Sequence, residues 1–425
     1  MFNYINIFIK TYGCNINNLN SEKIFLILLY FKINIIKNII NTNLFILNSC
    51  VIRKNPQIKI LKEIKKISFL KKYFKNIIIL TGCLTEFENI KKINLLKIDI
   101  TINSFCYIYI KNILVFYIKN LKKIYFIKKK HFFLKKEQIN NYILIMKGCN
   151  HNCSYCVIPQ IKGKEIYINY NNIFNNILKN IKKKFYEITL LGQNVNSYLY
   201  KNINFNSLLF NLSKIKNIKR ISFLSSNIKD FNKNFYYVYK NIIKISSHFH
   251  IPIQSGSNNI IKKMNRKYTI NEFLLFIKKI KKIKKSTFST DIILSFPYEN
   301  FKDFDCSIKI IKKINFFEVF FFSYSKRINT ISYNFKKKDL FKKFKIKLFQ
   351  KKIKKNTINI LNNIERVLVI GYIKNNIFIG KMDNLKIVFF EYYNYNIIGY
   401  FVLIKIIFKK RNFFLGIYDN IYKYI

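Results

Sequence analysis

The chain has no tryptophan, only 4 prolines and 10 glycines, and 20 acidic residues against 77 basic ones. The residues in excess are Ile, Lys, Asn, Phe and Tyr, the skew of an AT-rich coding sequence. Lys, Asn and Ile therefore fill positions that other residues would normally hold, and pattern and motif carry more weight than propensity. No uncharged apolar run approaches the ~20 residues that a membrane-spanning helix needs. The longest, such as Ile24–Phe31 and Ile397–Ile404, fall far short, which excludes helical spans. The N-terminus lacks the layout of a signal peptide, and no internal repeat is present. A soluble, cytoplasmic protein with no membrane contact is expected. In that compartment eight cysteines argue for metal binding or catalysis rather than disulfides.

The charge imbalance leaves a formal net charge of +57. One reading is a polyanionic partner, most naturally RNA. Codon drift toward lysine would give the same number, although drifted lysines still attract phosphate. At ~100–200 residues per domain, 425 residues suggest two to four domains.

The first 120 residues alternate between strand and helix patterns. Asn3–Lys10, Leu44–Leu47 and Asn76–Leu80 read as strands, with helices over Asn20–Lys37 and Gln57–Phe69. Each strand runs into a cysteine: Thr11-Tyr-Gly-Cys14, Asn48-Ser-Cys50 and Thr81-Gly-Cys83. In open α/β sheets, ligands sit beyond the carboxyl ends of strands. Residues 121–140 read as a linker. Strand patterns then recur at Tyr142–Met146, Glu187–Leu191, Arg220–Leu224, His248–Ile253, Thr290–Phe296 and Glu318–Phe322, with Lys-rich helices such as Ile277–Lys285 between them. Six strands with crossover helices suggest a parallel, partial α/β barrel. From about Asn359 short strands follow one another (Arg366–Gly371, Ile377–Met382, Lys386–Phe390, Gly399–Ile407), the pattern of a small all-β module. The expected class is α/β, with domains over residues 1–120, 135–357 and 358–425.

The loop Lys147–Pro159 carries Cys149, Cys153 and Cys156 in a C-x3-C-x2-C spacing. Three thiolates within eight residues can hold three irons of a [4Fe–4S] cluster and leave the fourth open. A structural zinc loop would need a fourth ligand, and His151 lies inside the loop, awkwardly placed for closure. The spacing, with Tyr155 before the last cysteine and a strand leading in, resembles the radical S-adenosylmethionine (SAM) superfamily. That resemblance implies SAM bound at the open iron and a 5′-deoxyadenosyl radical formed from it.

With their flanks, Cys14, Cys50 and Cys83 resemble the three N-terminal signatures of the methylthiotransferase family. The tail resembles the RNA-binding TRAM module that closes its members. The resemblance covers essentially the whole chain in the right order. It implies a second [4Fe–4S] cluster on the N-terminal cysteines, whose open iron would carry the sulfur inserted into a C–H bond. Cys106 and Cys306 match no motif and are expected to be buried or incidental.

The segment Glu187-Ile-Thr-Leu-Leu-Gly-Gln193-Asn194-Val-Asn196-Ser-Tyr198 is similar to the branch acting on N6-dimethylallyl-adenosine at tRNA position 37. Branches acting on threonylcarbamoyl-adenosine or on a small-subunit ribosomal protein usually differ there. His250-Ile-Pro252-Ile-Gln254-Ser-Gly-Ser257, Met264–Thr269, Ser289–Pro297 and Tyr324–Arg327 match further family blocks. By position, Gln193, Asn194, Ser225, Gln254 and Asp291, with Tyr155, are expected to line the SAM and adenosine pocket. His250 is expected to be packed or hydrogen-bonded rather than a ligand. The implied partners are the tRNA anticodon stem-loop and a protein reductant, and the expected state is a monomer. A non-catalytic iron–sulfur RNA-binding protein is the alternative from another class. The chain departs from the family at Lys162 for Arg, at Ser226-Asn227-Ile228 for Ser-His-Pro, and at Ser295, Tyr298 and Asn329, each for Gly. A tyrosine where a turn requires positive φ is costly.

Overall fold

The computed structural model describes residues 5–29, 31, 33–36, 38–50, 54–71, 73–74, 76–86, 98–104, 106–120, 141–181, 186–336, 360–373, 376–394, 397–410 and 413–421. The expected linker 121–140 lies outside them. Residues 1–135 and 136–425 form two compact units.

In the first unit, β1 (Ile5–Thr11), β2 (Ile33–Ile35), β3 (Leu44–Ser49), β4 (Ile77–Gly82) and β5 (Ile100–Ile102) form one parallel sheet in the order β2-β1-β3-β4-β5. β3 is buried at every residue, as a central parallel strand covered on both faces must be. Helices Asn15–Leu28, Lys54–Leu70 and Ile110–Asn120 belong to the same unit. The first begins with Cys14 as its N-cap and ends at Leu28. The expected helix 20–37 was therefore displaced, because the Asn-rich stretch after Cys14 is already helical and residues 33–35 pair with β1 as β2.

In the second unit, β6 (Tyr142–Leu144), β9 (Glu187–Leu191) and β12 (Arg220–Phe223) form one parallel sheet. β13 (His248–His250), β14 (Thr287–Leu294) and β15 (Glu318–Ser323) form another. A parallel bridge, Ile221 to Ile245, carries the arc across the break. The short strands β7 (Met146–Lys147) and β8 (Ile166–Tyr167) pair antiparallel and close the cysteine loop at its base. A hairpin of β10 (Leu199–Tyr200) and β11 (Ile203–Asn204) follows β9. One core of Ile, Leu and Phe side chains, with Phe223, Phe235, Phe249 and Phe288 at its centre, packs the strands against helices such as Ile270–Ile283. That helix opens on a reciprocal cap between Thr269 and Glu272.

β16 (Ile364–Tyr372), β17 (Ile377–Met382), β18 (Ile387–Glu391), β19 (Phe401–Lys409) and β20 (Phe413–Ile421) close into a barrel in the order β16-β17-β18-β20-β19. β20 was not among the expected strands. The barrel's inner face is lined by Val367, Val369, Phe378, Val388, Val402, Ile404 and Phe414. This small barrel docks under the amino ends of the parallel strands. Arg220, the first residue of β12, is 1% exposed. It donates to Glu187, the first residue of β9, at 2.6 Å and to the carbonyls of Lys381 and Met382 at 3.1 and 3.0 Å. Lys381 Nζ donates to the other oxygen of Glu187 at 2.8 Å.

Candidate functional site

In the first unit the strand register sets the three cysteines. Thr11 pairs with Asn48 and Ser49 with Gly82. Cys50 and Cys83 therefore each follow a matched pair, and Cys14 lies three residues past Thr11. The preceding glycines are a steric requirement. A Cβ on Gly13, at φ +132°, would sit 2.3 Å from Cys50 Cβ, and one on Gly82, at φ +98°, would sit 2.3 Å from the Ser49 carbonyl oxygen. Asn17 Nδ2 donates to the carbonyls of Tyr12 and Ser49 at 3.1 and 2.7 Å. Asn48 Nδ2 donates to the Asn17 carbonyl, and Ser49 Oγ to the Thr81 carbonyl. These bonds tie the three strand ends together. Cys14 is the N-cap residue of the helix Asn15–Leu28, and its Sγ lies 3.6 Å from Asn17 Oδ1.

In the second unit the C-x3-C-x2-C loop leaves the carboxyl end of the first barrel strand. Gly148, at φ +75°, lets the chain pass Lys164, whose carbonyl would lie 2.0 Å from an added Cβ. The Cys149 amide donates to the Gly163 carbonyl at 3.2 Å, and Cys156 turns back on Cys153 at 3.0 Å. Ser154 anchors the loop to Lys263 and Met264. Arg266 Nη1 reaches Cys153 Sγ at 3.6 Å while its Nη2 holds the Pro252 carbonyl at 3.0 Å. The Ile158 amide faces Cys156 Sγ at 3.5 Å. Burial pushes the Cys149 thiol up to about 11 and the Cys156 thiol up to about 12. At neutral pH such thiols stay protonated, and iron ligation would supply the positive charge that ionises them. Three sulfurs on one loop, two of them receiving hydrogen bonds, fit the donor set of a [4Fe–4S] cluster with one open iron. Among the described residues, no three His, Cys, Asp or Glu side chains converge on a single-ion site.

The polar residues expected at the strand ends separate into two groups. Gln193 and Asn194 follow β9. Asn194 Nδ2 donates to Asp230 Oδ2 at 2.7 Å, and His151 of the cysteine loop meets the same oxygen at 2.8 Å. Burial alone would raise the Asp230 pKa, but the hydrogen bonds from His151 and Asn194 lower it below the usual range. This carboxylate was not expected from the sequence, where it reads as one residue of a turn. Ser225 follows β12 at φ +67°, and its carbonyl accepts from the Val195 amide. Gln254 follows β13 at φ +71° and bridges to Ile292. Strain at two neighbouring strand ends marks a constrained site. Asp291 is inside β14 rather than beyond it, because that strand begins at Thr287 and runs to Leu294. The oxygens Gln193 Oε1, Ser226 Oγ and Asp291 Oδ1 are buried without hydrogen-bond partners. Orphans of this kind call for a bound ligand or water. Tyr155 packs edge-on against Phe296 at 6.4 Å, in a cluster with Met264 and Tyr324.

Below Asp291 runs a hydrogen-bonded column. His248 meets Thr287 Oγ1 at 2.8 Å and Ser289 Oγ at 3.0 Å, and Ser289 Oγ meets His250 Nδ1 at 2.9 Å. His250 Nε2 lies 3.6 Å from Asp291 Oδ2. His250 is thus hydrogen-bonded, as expected. Burial holds His248 neutral, with its pKa pushed down to about 3. The sequence carries the signal for the column as a period of two, with His248 and His250 on one strand and Thr287, Ser289 and Asp291 on the next. Cys106 packs at the margin of the first core, and Cys306 is exposed.

Three family-typical glycine positions hold other residues at positive φ: Ser295 at +55°, Tyr298 at +67° and Asn329 at +62°. The backbone has kept the conformation that glycine would allow, at some cost in strain.

Comparison with known proteins matches residues 143–310 to the radical SAM superfamily and residues 6–103 to a family described as uncharacterized protein family UPF0004. The tRNA-2-methylthio-N(6)-dimethylallyladenosine synthase of Buchnera aphidicola subsp. Cinara cedri is 38% identical over 88% of this chain and 92% of its own. The enzymes of the same name from Pelagibacter ubique and Clostridium tetani are each 33% identical, over 96% and 90% of this chain and 97% and 90% of their own. Among solved structures, the radical SAM methyltransferase TsrM from Kitasatospora setae, with cobalamin and a [4Fe–4S] cluster bound, superposes with a TM-score of 0.56 at 8% identity, covering 78% of this chain and 77% of that one. It supports the fold alone. With two domain models matched in order and relatives above 30% identity along nearly its whole length, the chain belongs to the family of tRNA-2-methylthio-N(6)-dimethylallyladenosine synthases within the radical SAM superfamily.

Proposed function

We infer that this chain is a radical SAM tRNA methylthiotransferase, converting N6-dimethylallyl-adenosine at tRNA position 37 to its 2-methylthio derivative. The observation that carries the reading is the pair of three-cysteine sets, each assembled by backbone geometry at the carboxyl ends of parallel strands. Cys149, Cys153 and Cys156 would hold one [4Fe–4S] cluster and Cys14, Cys50 and Cys83 the other. When bound, the clusters and SAM supply the radical that takes the hydrogen from carbon 2 of the adenine, together with the sulfur and the methyl group that replace it.

The residues of the chain have separable tasks. Arg266 donates a hydrogen bond to Cys153 Sγ, and Ser154 fixes the loop. Asp230 ties the loop to Asn194. Gln193 Oε1 and Asp291 Oδ1 offer acceptors to bound SAM or adenosine, and Ser225 and Gln254 hold the backbone there. The target base must be unstacked to expose carbon 2. Lys and Arg of the small barrel would meet tRNA phosphates and set the RNA's position without reading its sequence. No described helix is long and apolar enough to cross a membrane. The reading further includes a cytoplasmic, monomeric protein and a separate protein reductant.

The test is the modified-nucleoside profile of tRNA from a strain lacking its own methylthiotransferase, with and without this chain. The 2-methylthio derivative of N6-dimethylallyl-adenosine should return. Return of only the threonylcarbamoyl product would refute the substrate. A folded, reconstituted protein that releases no 5′-deoxyadenosine from SAM would refute catalysis altogether.

A further inference from the structure

The loop after β14 carries an aromatic residue that is both strained and exposed. Tyr298 lies at φ +67°, in a region that a bulky side chain rarely adopts. It is 48% exposed, so core packing does not account for its conformation. Two neighbours hold the ring. Lys263 Nζ lies 4.3 Å from the ring centroid, and the Phe335 ring lies 5.6 Å away. This group is continuous with the cysteine loop. The Lys263 carbonyl accepts a hydrogen bond from Ser154 Oγ, and Phe296, two residues before Tyr298, packs on Tyr155. Tyr298 therefore stands on the rim of the site. Lys262, Lys267 and Lys302, on the adjoining segments, are exposed.

An exposed ring braced by a lysine, on a basic rim, matches one kind of ligand well. The π-face accepts any nucleobase, and the ammonium groups meet the phosphates on either side of it. The charge argues against a cationic peptide. Strain held at an exposed residue is common at functional sites. We propose that Tyr298, braced by Lys263 and Phe335, is a stacking platform for an unpaired base of the RNA loop at the rim of the cluster site. The proposal rests on the tRNA reading above and adds to it a residue that positions the substrate.

The test measures RNA binding by the full-length, cluster-reconstituted protein, using fluorescence anisotropy. The probes are an RNA hairpin with unpaired adenosines in its loop and a blunt RNA duplex carrying the same number of phosphates. Wild type and Tyr298→Phe should bind the hairpin alike. Tyr298→Ala and Tyr298→Gly should lose about 5- to 150-fold on the hairpin and little on the duplex. Lys263→Gln should weaken both probes. Tyr298→Gly should also melt higher than wild type, since glycine relieves the strain, so weaker binding would not reflect misfolding. Equal hairpin affinity in wild type, Tyr298→Ala and Tyr298→Gly overturns the platform and leaves the tRNA reading standing. So do equal losses on hairpin and duplex, which would mean a phosphate effect. A wild type that binds neither RNA overturns both.

Discussion

Replacing Glu187 with Gln should be strongly destabilising for the second unit. Glu187 is 7% exposed and is shared by two buried cations, Arg220 at 2.6 Å and Lys381 at 2.8 Å. Burial alone would raise its pKa, but those two charges hold it below the usual carboxylate range. The amide keeps the shape and removes the charge, leaving Arg220 and Lys381 buried beside each other with Asp383 as the remaining acid, 3.3 Å from Arg220. Breaking a buried pair from one side costs about 3–5 kcal/mol. At roughly 2–4 °C per kcal/mol for a unit of this size, the melting temperature should fall by roughly 6–20 °C. Lys381→Met should cost much less, because the Arg220–Glu187 pair survives, and in the Glu187→Gln background it should restore part of the loss. Thermal unfolding of the four proteins, read by circular dichroism, closes the cycle. The lowered carboxylate pKa adds a sign. Its stabilisation is complete above the usual carboxylate value and is lost as pH falls through the folded value, so wild type and Glu187→Gln should converge in acid. A loss under about 1 kcal/mol at neutral pH, or full additivity with Lys381→Met, would refute the network as the bond between barrel and strands.

Other outcomes are equally specific. Cys149→Ala should abolish SAM cleavage, whereas Cys50→Ala should retain cleavage and lose sulfur insertion; identical loss of cleavage in both folded variants would refute the division of labour. Reconstituted wild type should carry about eight irons per chain, and about four would mean that Cys14, Cys50 and Cys83 hold no cluster. Gly82→Ala should lower the iron content toward that of Cys50→Ala, since its Cβ meets the Ser49 carbonyl oxygen at 2.3 Å; wild-type iron content would refute the steric argument. His248, with a folded pKa of about 3 against an ordinary 6.5, contributes stability that is present above pH 6.5 and lost as pH falls toward 3. Denaturation across that range should show a slope that His248→Gln removes.

The chemistry-bearing cysteines were legible because their spacing and flanks are local. Three thiols within eight residues need no distant partner to be recognised. Strand existence was legible too, from apolar runs ending in the same short motifs, even in a composition poor in glycine and proline. The boundaries were less so. Lysine and asparagine fill helix, loop and cap alike, which is why the helix at Asn15 was expected five residues too late and β20 was not expected.

What the sequence determined by itself is the chemistry: two three-cysteine sets, their order along the chain, and the glycines beside them. Only the tertiary structure decided which polar groups meet. Asp230 gains its role by lying between His151 and Asn194, residues far from it in sequence. Arg220 and Glu187 become a docking bond because β9 and β12 start side by side above the small barrel. Tyr298 becomes notable because its φ is positive while its ring is open to solvent. The physical reason is common to all three. Covalent spacing fixes which ligands a loop can offer, whereas burial, charge pairing and backbone strain are properties of neighbours that only folding brings together.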